Sequence, residues 1–415
     1  PVHAEIINDS INIFATYTDD KTEKTSLYKC VFNLSMQQPV APEFILSAKI
    51  ENVSIYASFN FIYSSDSSLF AIISLSRLSS GTDLHVMIYE RGFKKITDKM
   101  VSLRHGITHI ISVVFKLSNT GNLFFSADLP SLKQGKTFGY IPLWNSNLYM
   151  LPKNETILKE FNFKSINEHV EYLKYDVFEG DKVVYAIEGY PLEKKDENFV
   201  KIGILDIQNG EIIYSKNYLP GDEIVRKLSN TRELGLSNKS MYLIFMPREI
   251  KVGDDGGIYF IGEQQTYTTP GSGGGTGLYD YYNMLAVKFD ADFNTQYETL
   301  IPRREQNYSE ISQYMKIGSE IANGKLHIYY TIREDCLNSE SVLDCKQGNY
   351  WSNVYVEAII SEIGEVKKKV FFNGKDSDVF PNFISMKFHN TDNTTILFDD
   401  GMKPKSFRLG SIRME

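Results

Sequence analysis

Tight polar turns followed by short, nearly unbroken apolar runs recur seven times along the chain. In one copy, Gly253-Asp254-Asp255-Gly256-Gly257 leads into Ile258-Tyr259-Phe260-Ile261. Gly, Asn and Asp supply the positive φ angles or local hydrogen bonds that a strand reversal needs, and β-branched and aromatic residues fit the pleated surface that follows. The pattern therefore predicts one β-hairpin per repeat. The other apolar runs are 11–17, 69–75, 123–125, 183–187, 326–330 and 395–398.

The spacing of these turns indicates a four-stranded repeat. The turns lie near residues 9, 66, 121, 180, 256, 324 and 393. Propeller blades need roughly 40 to 50 residues for four strands, so the observed spacing allows four strands and insertions. Three repeats show a second hairpin, around Asn209-Gly210, Asp290-Ala291-Asp292 and Ile363-Gly364. The continuous apolar runs indicate strands buried on both faces, as in stacked blades.

We therefore predict an all-β chain that forms a single β-propeller of seven four-stranded blades, with six or eight blades as the alternative. Tandem β-sandwiches rank next, but they need units of ~100 residues. Because the last repeat shows only three strands, we expect the segment from His3 to Ile7 to complete it and close the ring. The predicted blades are 1–50, 51–105, 106–164, 165–238, 239–308, 309–376 and 377–415.

Composition supports one large folded chain. Its 415 residues are 42% hydrophobic, which is enough for a sizeable core, and no Pro/Ser-rich linker divides them. A net charge of −8 argues against nucleic acid as a partner, since nucleic acid attracts clustered Lys and Arg. No apolar stretch approaches the ~20 residues of a membrane span, so we do not expect a membrane-spanning protein.

The three cysteines bear on location. Cys336 and Cys345 lie in one polar segment, and a disulfide between them would contribute ~2.7 kcal/mol in the chain-entropy model. Two free thiols in a reduced compartment are the alternative, and Cys30 is predicted to be a small buried hydrophobe. A disulfide favours an oxidising compartment. The expected location is accordingly the periplasm, the outer membrane or the exterior. Because Pro1 is not an initiator Met, we also expect that the chain has been processed or trimmed.

Motifs for catalysis or metal binding are missing. His105 and His109 have an i,i+4 spacing but lie at a predicted strand end, and no Glu follows His105 as in a zincin. The chain has no Gly-x-Ser-x-Gly elbow, and Asp290-Ala291-Asp292 lacks the Gly and distal Glu of a calcium loop. We therefore predict no catalytic residue, no metal and no cofactor, which favours a non-enzymatic role.

A glycine-rich segment is the leading candidate for a recognition loop. Residues 271–277 lack the Lys-Ser/Thr of a phosphate-binding loop. Tyrosines flank the segment, and Tyr offers contact area and a hydroxyl at low entropic cost. The alternative is a loop tip that touches nothing. The predicted binding residues are Tyr267, Tyr279, Asp280, Tyr281, Tyr282 and, in another insertion, Trp351.

About 60 residues of the fifth repeat resemble a group of secreted, propeller-like proteins from Bacteroidetes. The likeness rests on a strand ending in Gly262-Glu263-Gln264, a Tyr/Thr/Gly-rich insertion, the strand from Val287 to Asp290, and Ile301-Pro302-Arg303 followed by Gln306. The resemblance implies export and a propeller fold. These motifs are structural, so it implies no catalytic residue.

Three long insertions in neighbouring repeats carry the functional prediction. They are 220–241, 264–282 and 334–351, and insertions of this length are uncommon unless they are functional or disordered. We predict an interaction module of the bacterial envelope or exterior that holds a protein or peptide partner, such as an outer-membrane complex. The alternative is glycan binding or cleavage at the central mouth of the propeller, which would need two carboxylates ~5 to 9 Å apart.

Overall fold

The computed structural model of the protein is all-β in the part of the chain that it describes. It divides into two compact units: residues 1–165, 177–182 and 206–210 form unit 1, and residues 166–176, 183–205 and 211–415 form unit 2. The described residues are 3–7, 10–19, 21–33, 40–49, 58–78, 81–103, 113–134, 140–163, 167–178, 182–194, 197–229, 244–268, 278–307, 317–345, 353–373, 387–389, 394–400 and 407–413.

Three four-stranded antiparallel meanders make up unit 1. Sheet 1 contains β1 (His3–Ile7), β2 (Ser10–Asp19), β3 (Lys24–Asn33) and β4 (Glu43–Lys49). Sheet 2 contains β5 (Ser58–Tyr63), β6 (Leu69–Leu78), β7 (Gly81–Glu90) and β8 (Lys94–Leu103). Sheet 3 contains β9 (Val113–Leu117), β10 (Leu123–Gln134), β11 (Tyr140–Leu151) and β12 (Lys159–Phe161).

Unit 2 carries sheets 4 to 7 and the short helix α1 (Asp222–Ser229). Sheet 4 contains β13 (Glu168–Phe178), β14 (Lys182–Pro191), β15 (Phe199–Asp206) and β16 (Glu211–Tyr218). Sheet 5 contains β17 (Met246–Val252), β18 (Ile258–Thr268), β19 (Leu278–Phe289) and β20 (Thr295–Ile301), and β21 (Glu305–Asn307) pairs with β19. Sheet 6 contains β22 (Gly318–Ala322), β23 (Lys325–Arg333), β24 (Asn353–Ile360) and β25 (Val366–Asn373). Sheet 7 contains β26 (Lys387–His389), β27 (Thr394–Asp400) and β28 (Phe407–Arg413).

Each of the seven predicted hairpin turns joins the first two strands of one sheet, and the three predicted second hairpins join β15 to β16, β19 to β20 and β24 to β25. Gly256 in the fifth turn has φ +75°, and Asn323 and Gly324 in the sixth have φ 52° and 72°. These are the left-handed conformations that Gly and Asn adopt most readily, which explains why the turns were visible in the sequence.

In sheets 2 to 6 the second strands are buried over most of the length for which burial is described, as their unbroken apolar runs predicted, whereas in sheet 1 only Asn12 and Phe14 of β2 are buried. In β6, Leu69, Ala71, Ile73 and Leu75 belong to a cluster shared with sheet 3. Phe70 and Ile72 belong to a cluster shared with sheet 1. Side chains alternate across a strand, so sheet 2 is covered on both sides within unit 1. In unit 2, Ile328 and Tyr330 of β23 pack against Tyr259 and Ile261 of sheet 5.

In sheets 2 to 6 the fourth strands are much less buried than the second strands. In β14 every residue from Val183 to Tyr190 is buried, whereas in β16 only Tyr218 is buried. The outer strand β25 carries three consecutive lysines, Lys367, Lys368 and Lys369. Charged side chains on an edge strand oppose pairing with another chain.

The prediction of seven four-stranded blades is wrong in its count. The described residues form six four-stranded meanders, the number named as an alternative, and the last sheet has three strands. Every sheet falls inside one of the seven predicted repeat ranges. The assignment of the whole chain to a single domain stays a prediction.

The predicted closure by the N-terminal segment is also wrong. His3–Ile7 pairs with β2 of its own sheet, from His3 opposite Phe14 to Ile7 opposite Ser10. Only residues 8 and 9 separate these strands, so the hairpin closes a very short loop, whereas pairing with the last sheet would join segments from opposite ends of the chain. Among the described residues, no helix is long and apolar enough to cross a membrane.

Replacing Ile328 with Ala tests the packing between sheets 5 and 6. Ile328 is fully buried, so we expect the free energy of unfolding to fall by ~2 to 5 kcal/mol from lost burial and a residual cavity. Ile363→Ala is the control, since Ile363 is 75% exposed and its truncation should change stability by less than ~0.5 kcal/mol. Urea unfolding followed by far-UV circular dichroism measures both, and equal effects would contradict the assignment.

Candidate functional site

Described parts of two of the three predicted insertions, 220–241 and 334–351, line one cleft in unit 2. Helix α1 belongs to the first of these and the loop from Glu334 to Cys345 to the other, whereas the named lining contains Asn283, which directly follows the insertion 264–282, and no residue of that insertion itself. The cleft has a volume of about 610 Å³. Its lining consists of Lys227, Asn283, Leu300, Ile301, Pro302, Ser339, Glu340, Ser341, Val342, Asp344, Val366 and Lys368.

Sheet topology explains why these segments meet. In an antiparallel meander, the connection between the second and third strands lies at the same edge as the start of the first strand and the end of the fourth. The β18–β19 and β23–β24 connections therefore leave sheets 5 and 6 at the edge where β20 ends with Ile301. Because the two sheets pack against each other, the end of β20 and the loop from Glu334 to Cys345 line the same cleft.

Asn283 is the buried polar residue of the cleft. Its side chain is 1% exposed, and Nδ2 donates a hydrogen bond to Oε1 of Gln264 at 2.8 Å. Its Oδ1 has no hydrogen-bond partner among the described residues. An unsatisfied buried acceptor costs ~1 to 3 kcal/mol, and native proteins satisfy nearly all such atoms. Asn283 therefore brings an unused buried acceptor to the lining of the cleft.

A disulfide loop forms one wall of the cleft. Cys336 and Cys345 are joined by a disulfide with a Cα–Cα distance of 4.9 Å, and both are buried in the core between sheets 5 and 6. Two 3-10 turns, Glu334–Cys336 and Val342–Asp344, shape the loop, and Ser341 Oγ accepts a hydrogen bond from the Leu343 amide. The loop is thus anchored at both ends and held internally, which makes it a firm wall.

Neighbouring cations hold this loop from outside. Arg304 Nη1 donates to the Cys345 carbonyl at 3.2 Å, and Lys368 Nζ donates to the Leu337 carbonyl at 2.9 Å. Burial of Lys368 lowers its pKa. Glu340 and Asp344 point two exposed carboxylates along the same wall, and no described residue pairs with either.

The outer parts of β18 (264–268) and β19 (278–282) form what we call the β18–β19 arm. A buried ionic network lies at its base, and we call it the arginine cluster; its members are Arg303, Glu263, Glu305, Arg248 and Thr331. Arg303 is fully buried, and it donates to Glu263 and, through Nε at 3.1 Å, to Glu305. Arg248 Nε lies 2.8 Å from Glu263, and Thr331 on β23 donates to Glu305 at 3.1 Å. The cluster therefore ties β18 and the chain after β20 to sheet 6.

Electrostatics in the arginine cluster are balanced by pairing. Burial disfavours the charge of Arg303, but the carboxylates of Glu305 and Glu263 outweigh it and raise its pKa. Burial raises the pKa of Glu305, against the attraction of Arg303. The Tyr281 ring lies 5.6 Å from the Arg303 guanidinium and 5.7 Å from that of Arg248. These contacts fix the base of the arm in one arrangement.

A separate buried carboxyl lies on sheet 4. Glu188 on β14 is 4% exposed; Asn198 Nδ2 lies 3.5 Å from Oε1, and Oε2 has no partner among the described residues. Burial and the nearby charge of Glu171 raise the pKa of Glu188 to about 7, and Arg248 opposes this. Glu188 thus exchanges its proton near neutral pH, although it does not line the cleft.

The predicted tyrosines have different environments from those expected. Tyr281 and Tyr282 are 5% and 8% exposed, so they support the arm more than they display contact area. Tyr267 pairs with Tyr279 in the register of β18 and β19. Asp280 is half-buried and accepts a hydrogen bond from Gln306 Nε2 at 2.8 Å. Trp351 and residues 271–277 lie outside the described residues, and the binding role of all these residues stays a prediction.

Sequence reasoning missed Asn283, Glu340, Asp344 and the arginine cluster as site residues. Asn283 stands out as an amide within the apolar run from Tyr281 to Val287. Glu263 and Arg303 were noticed only as parts of the Bacteroidetes resemblance. Their pairing joins positions 40 residues apart, which no local pattern indicates.

The chain matches no protein-family model and no curated protein. Among solved structures, it is similar to the β-propeller domain of the Trilobed protease from Pyrococcus furiosus, with 10% identity, 100% of this chain and 92% of that chain covered, and a TM-score of 0.43. It is also similar to an ulvan lyase, with 9% identity, 99% of this chain and 91% of that chain covered, and a TM-score of 0.48. It is similar as well to the Nup133 β-propeller domain of Vanderwaltozyma polyspora, with 11% identity, 98% of this chain and 99% of that chain covered, and a TM-score of 0.41. Likenesses of this size assign no function.

Replacing Arg303 with Met tests the arginine cluster. The change leaves Glu263 and Glu305 buried without their shared cation, so we expect the free energy of unfolding to fall by ~3 to 5 kcal/mol. The control is Lys194→Met, because Lys194 and Glu197 form an ion pair with both side chains more than 60% exposed. Its loss should cost less than ~1 kcal/mol. If Arg303→Met has the same free energy of unfolding in urea as the wild type, the cluster does not stabilise the fold.

The pH dependence of stability tests the state of Glu188. Its pKa is about 7 in the folded protein and 4.5 ordinarily, so the folded state holds a proton that the unfolded chain releases between these values. Stability should therefore fall as pH rises through this window, relative to Glu188→Gln. We expect the Gln variant to gain up to about 3 kcal/mol on the wild type between pH 4.5 and 8. Parallel stability curves for the two proteins would refute the shifted pKa.

Proposed function

We propose that the protein is a non-enzymatic binding module that holds a protein or peptide partner in the cleft of unit 2. One observation carries the proposal: two of the three insertions singled out by their length, 220–241 and 334–351, line a single cleft, and this cleft contains Asn283, a buried acceptor without a partner among the described residues. Ligand sites are typically concave, largely apolar and furnished with a few placed polar groups. The lining has this character, since Leu300, Ile301 and Val366 stand beside Asn283.

The firm walls of the cleft suit binding by a preformed site. The disulfide holds one wall, and the arginine cluster fixes the base of the β18–β19 arm. A preorganised site loses less conformational entropy when a partner binds, which favours affinity. The disulfide also supports the proposal that the protein works in an oxidising place such as the periplasm, the outer membrane or the cell exterior.

We also propose that the sheets are propeller blades. The burial of inner strands such as β6 on both faces supports this, because stacked blades cover each other in that way.

Glu340→Trp tests the proposal by filling the cleft. Glu340 is exposed and lacks a described partner, so the fold should tolerate Trp there, whereas an occupant of the cleft should not. We expect capture of a stoichiometric protein partner from cell-envelope extract to fall at least ~tenfold, measured by quantitative mass spectrometry. Glu193→Trp is the matched control, because Glu193 is also exposed and lies away from the cleft lining.

Two results would contradict this function. Equal capture by wild type and Glu340→Trp would place any partner elsewhere. Binding to a glycan array without protein capture would favour the alternative function, glycan binding or cleavage. Equal melting temperatures of the two Trp variants would exclude unfolding as the cause of lost capture.

A further inference from the structure

Hydrogen-bond acceptors are in surplus at the cleft. Asn283 Oδ1 is buried without a partner, and the carboxylates of Glu340 and Asp344 are exposed and unpaired in the described part of the chain. All three belong to residues that line the same cleft. Each of these groups is stabilised by a donor, and the two carboxylates favour a donor that carries positive charge.

The two lysines of the cleft are engaged with the protein itself. Lys227 Nζ forms an ion pair of 2.8 Å with Glu223 one turn earlier on α1. Lys368 Nζ donates to the Leu337 carbonyl of the disulfide loop. The loop from Glu334 to Cys345 carries four acidic residues and no basic one, and Arg333 pairs with Asp335 at 3.0 Å. The wall that faces the cleft is therefore acidic.

Apolar surface lies beside these acceptors. Leu300, Ile301, Pro302, Val342 and Val366 line the cleft, and Ile301 and Val342 are buried. Lys and Arg side chains place their methylene stems along apolar surface while the charged end reaches polar groups. The residues named in the lining include no aromatic ring of the kind on which sugars stack. The combination fits a basic side chain of a peptide better than a sugar.

We propose that the cleft binds a basic peptide segment, in which a Lys or Arg side chain donates to Asn283 and to the carboxylates of Glu340 and Asp344. This inference rests on the proposed function and specifies its partner chemistry. The aliphatic stem of the bound side chain packs against Leu300 and Val366. Arg suits the site well, since its guanidinium offers five donors in a fixed plane.

Selection from a random heptapeptide display library tests this, with the full chain as bait. We expect enrichment of peptides that carry Lys or Arg next to apolar residues, and weaker retention at high salt. The double variant Glu340→Lys with Asp344→Lys should bind the enriched peptides at least tenfold less tightly by fluorescence anisotropy. Glu193→Lys with Asp292→Lys adds the same charge at exposed positions outside the cleft and should bind them within twofold of wild type.

The outcomes separate this inference from the function on which it rests. Enriched acidic or neutral peptides that still depend on Glu340 would overturn the basic preference and leave peptide binding in place. Basic peptides that bind both double variants equally would overturn the site. Failure to enrich any peptide, together with binding of a chitosan oligosaccharide, would overturn both proposals. Glu340→Gln with Asp344→Asn keeps side-chain size without charge, and a loss smaller than that of the Lys variant supports charge recognition.

Discussion

The position of Arg303, fully buried between Glu263 and Glu305, is the constraint on which the rest of the site depends. A guanidinium without water is stable only when carboxylates surround it, and these carboxylates come from β18 and from the chain that follows β20. Thr331 adds a tie to sheet 6. Any rearrangement of β18 would separate these charges, so the cluster sets the position of Gln264, the next residue after Glu263. Asn283 on β19 is held in turn by its hydrogen bond to Gln264.

Hairpins were predictable from the sequence because they are local. Gly256, Asn323 and Gly324 adopt positive φ angles that few other residues tolerate, and the apolar runs after them indicate buried strands. The pairing of His3–Ile7 differs from the expected one for a related reason. Ring closure would pair this segment with the far end of the chain, whereas the hairpin with β2 needs only the short loop between residues 7 and 10.

Much less of the candidate site could be predicted. Insertion lengths pointed to two of the segments that line the cleft, 220–241 and 334–351, and the Cys336–Cys345 spacing pointed to the loop. The roles within the segments depended on contacts between distant positions, such as Arg303 with Glu263 and Lys368 with Leu337. Tyr281 and Tyr282 were predicted to be exposed binding residues, because composition cannot distinguish a tyrosine that faces solvent from one that is buried. Asn283 could not be predicted for the same reason, since its role depends on a buried side-chain oxygen that has no hydrogen-bond partner among the described residues.

The unequal burial of second and fourth strands has a consequence for how such a chain diverges. A strand covered on both faces, like β6, has no side on which substitutions are harmless, so drift there must be matched by compensating changes in two neighbouring sheets. A half-exposed strand such as β16 accepts polar replacements at every other position. Orthologues should therefore differ fastest along their outermost strands, while the inner hairpins keep their character long after overall identity has faded.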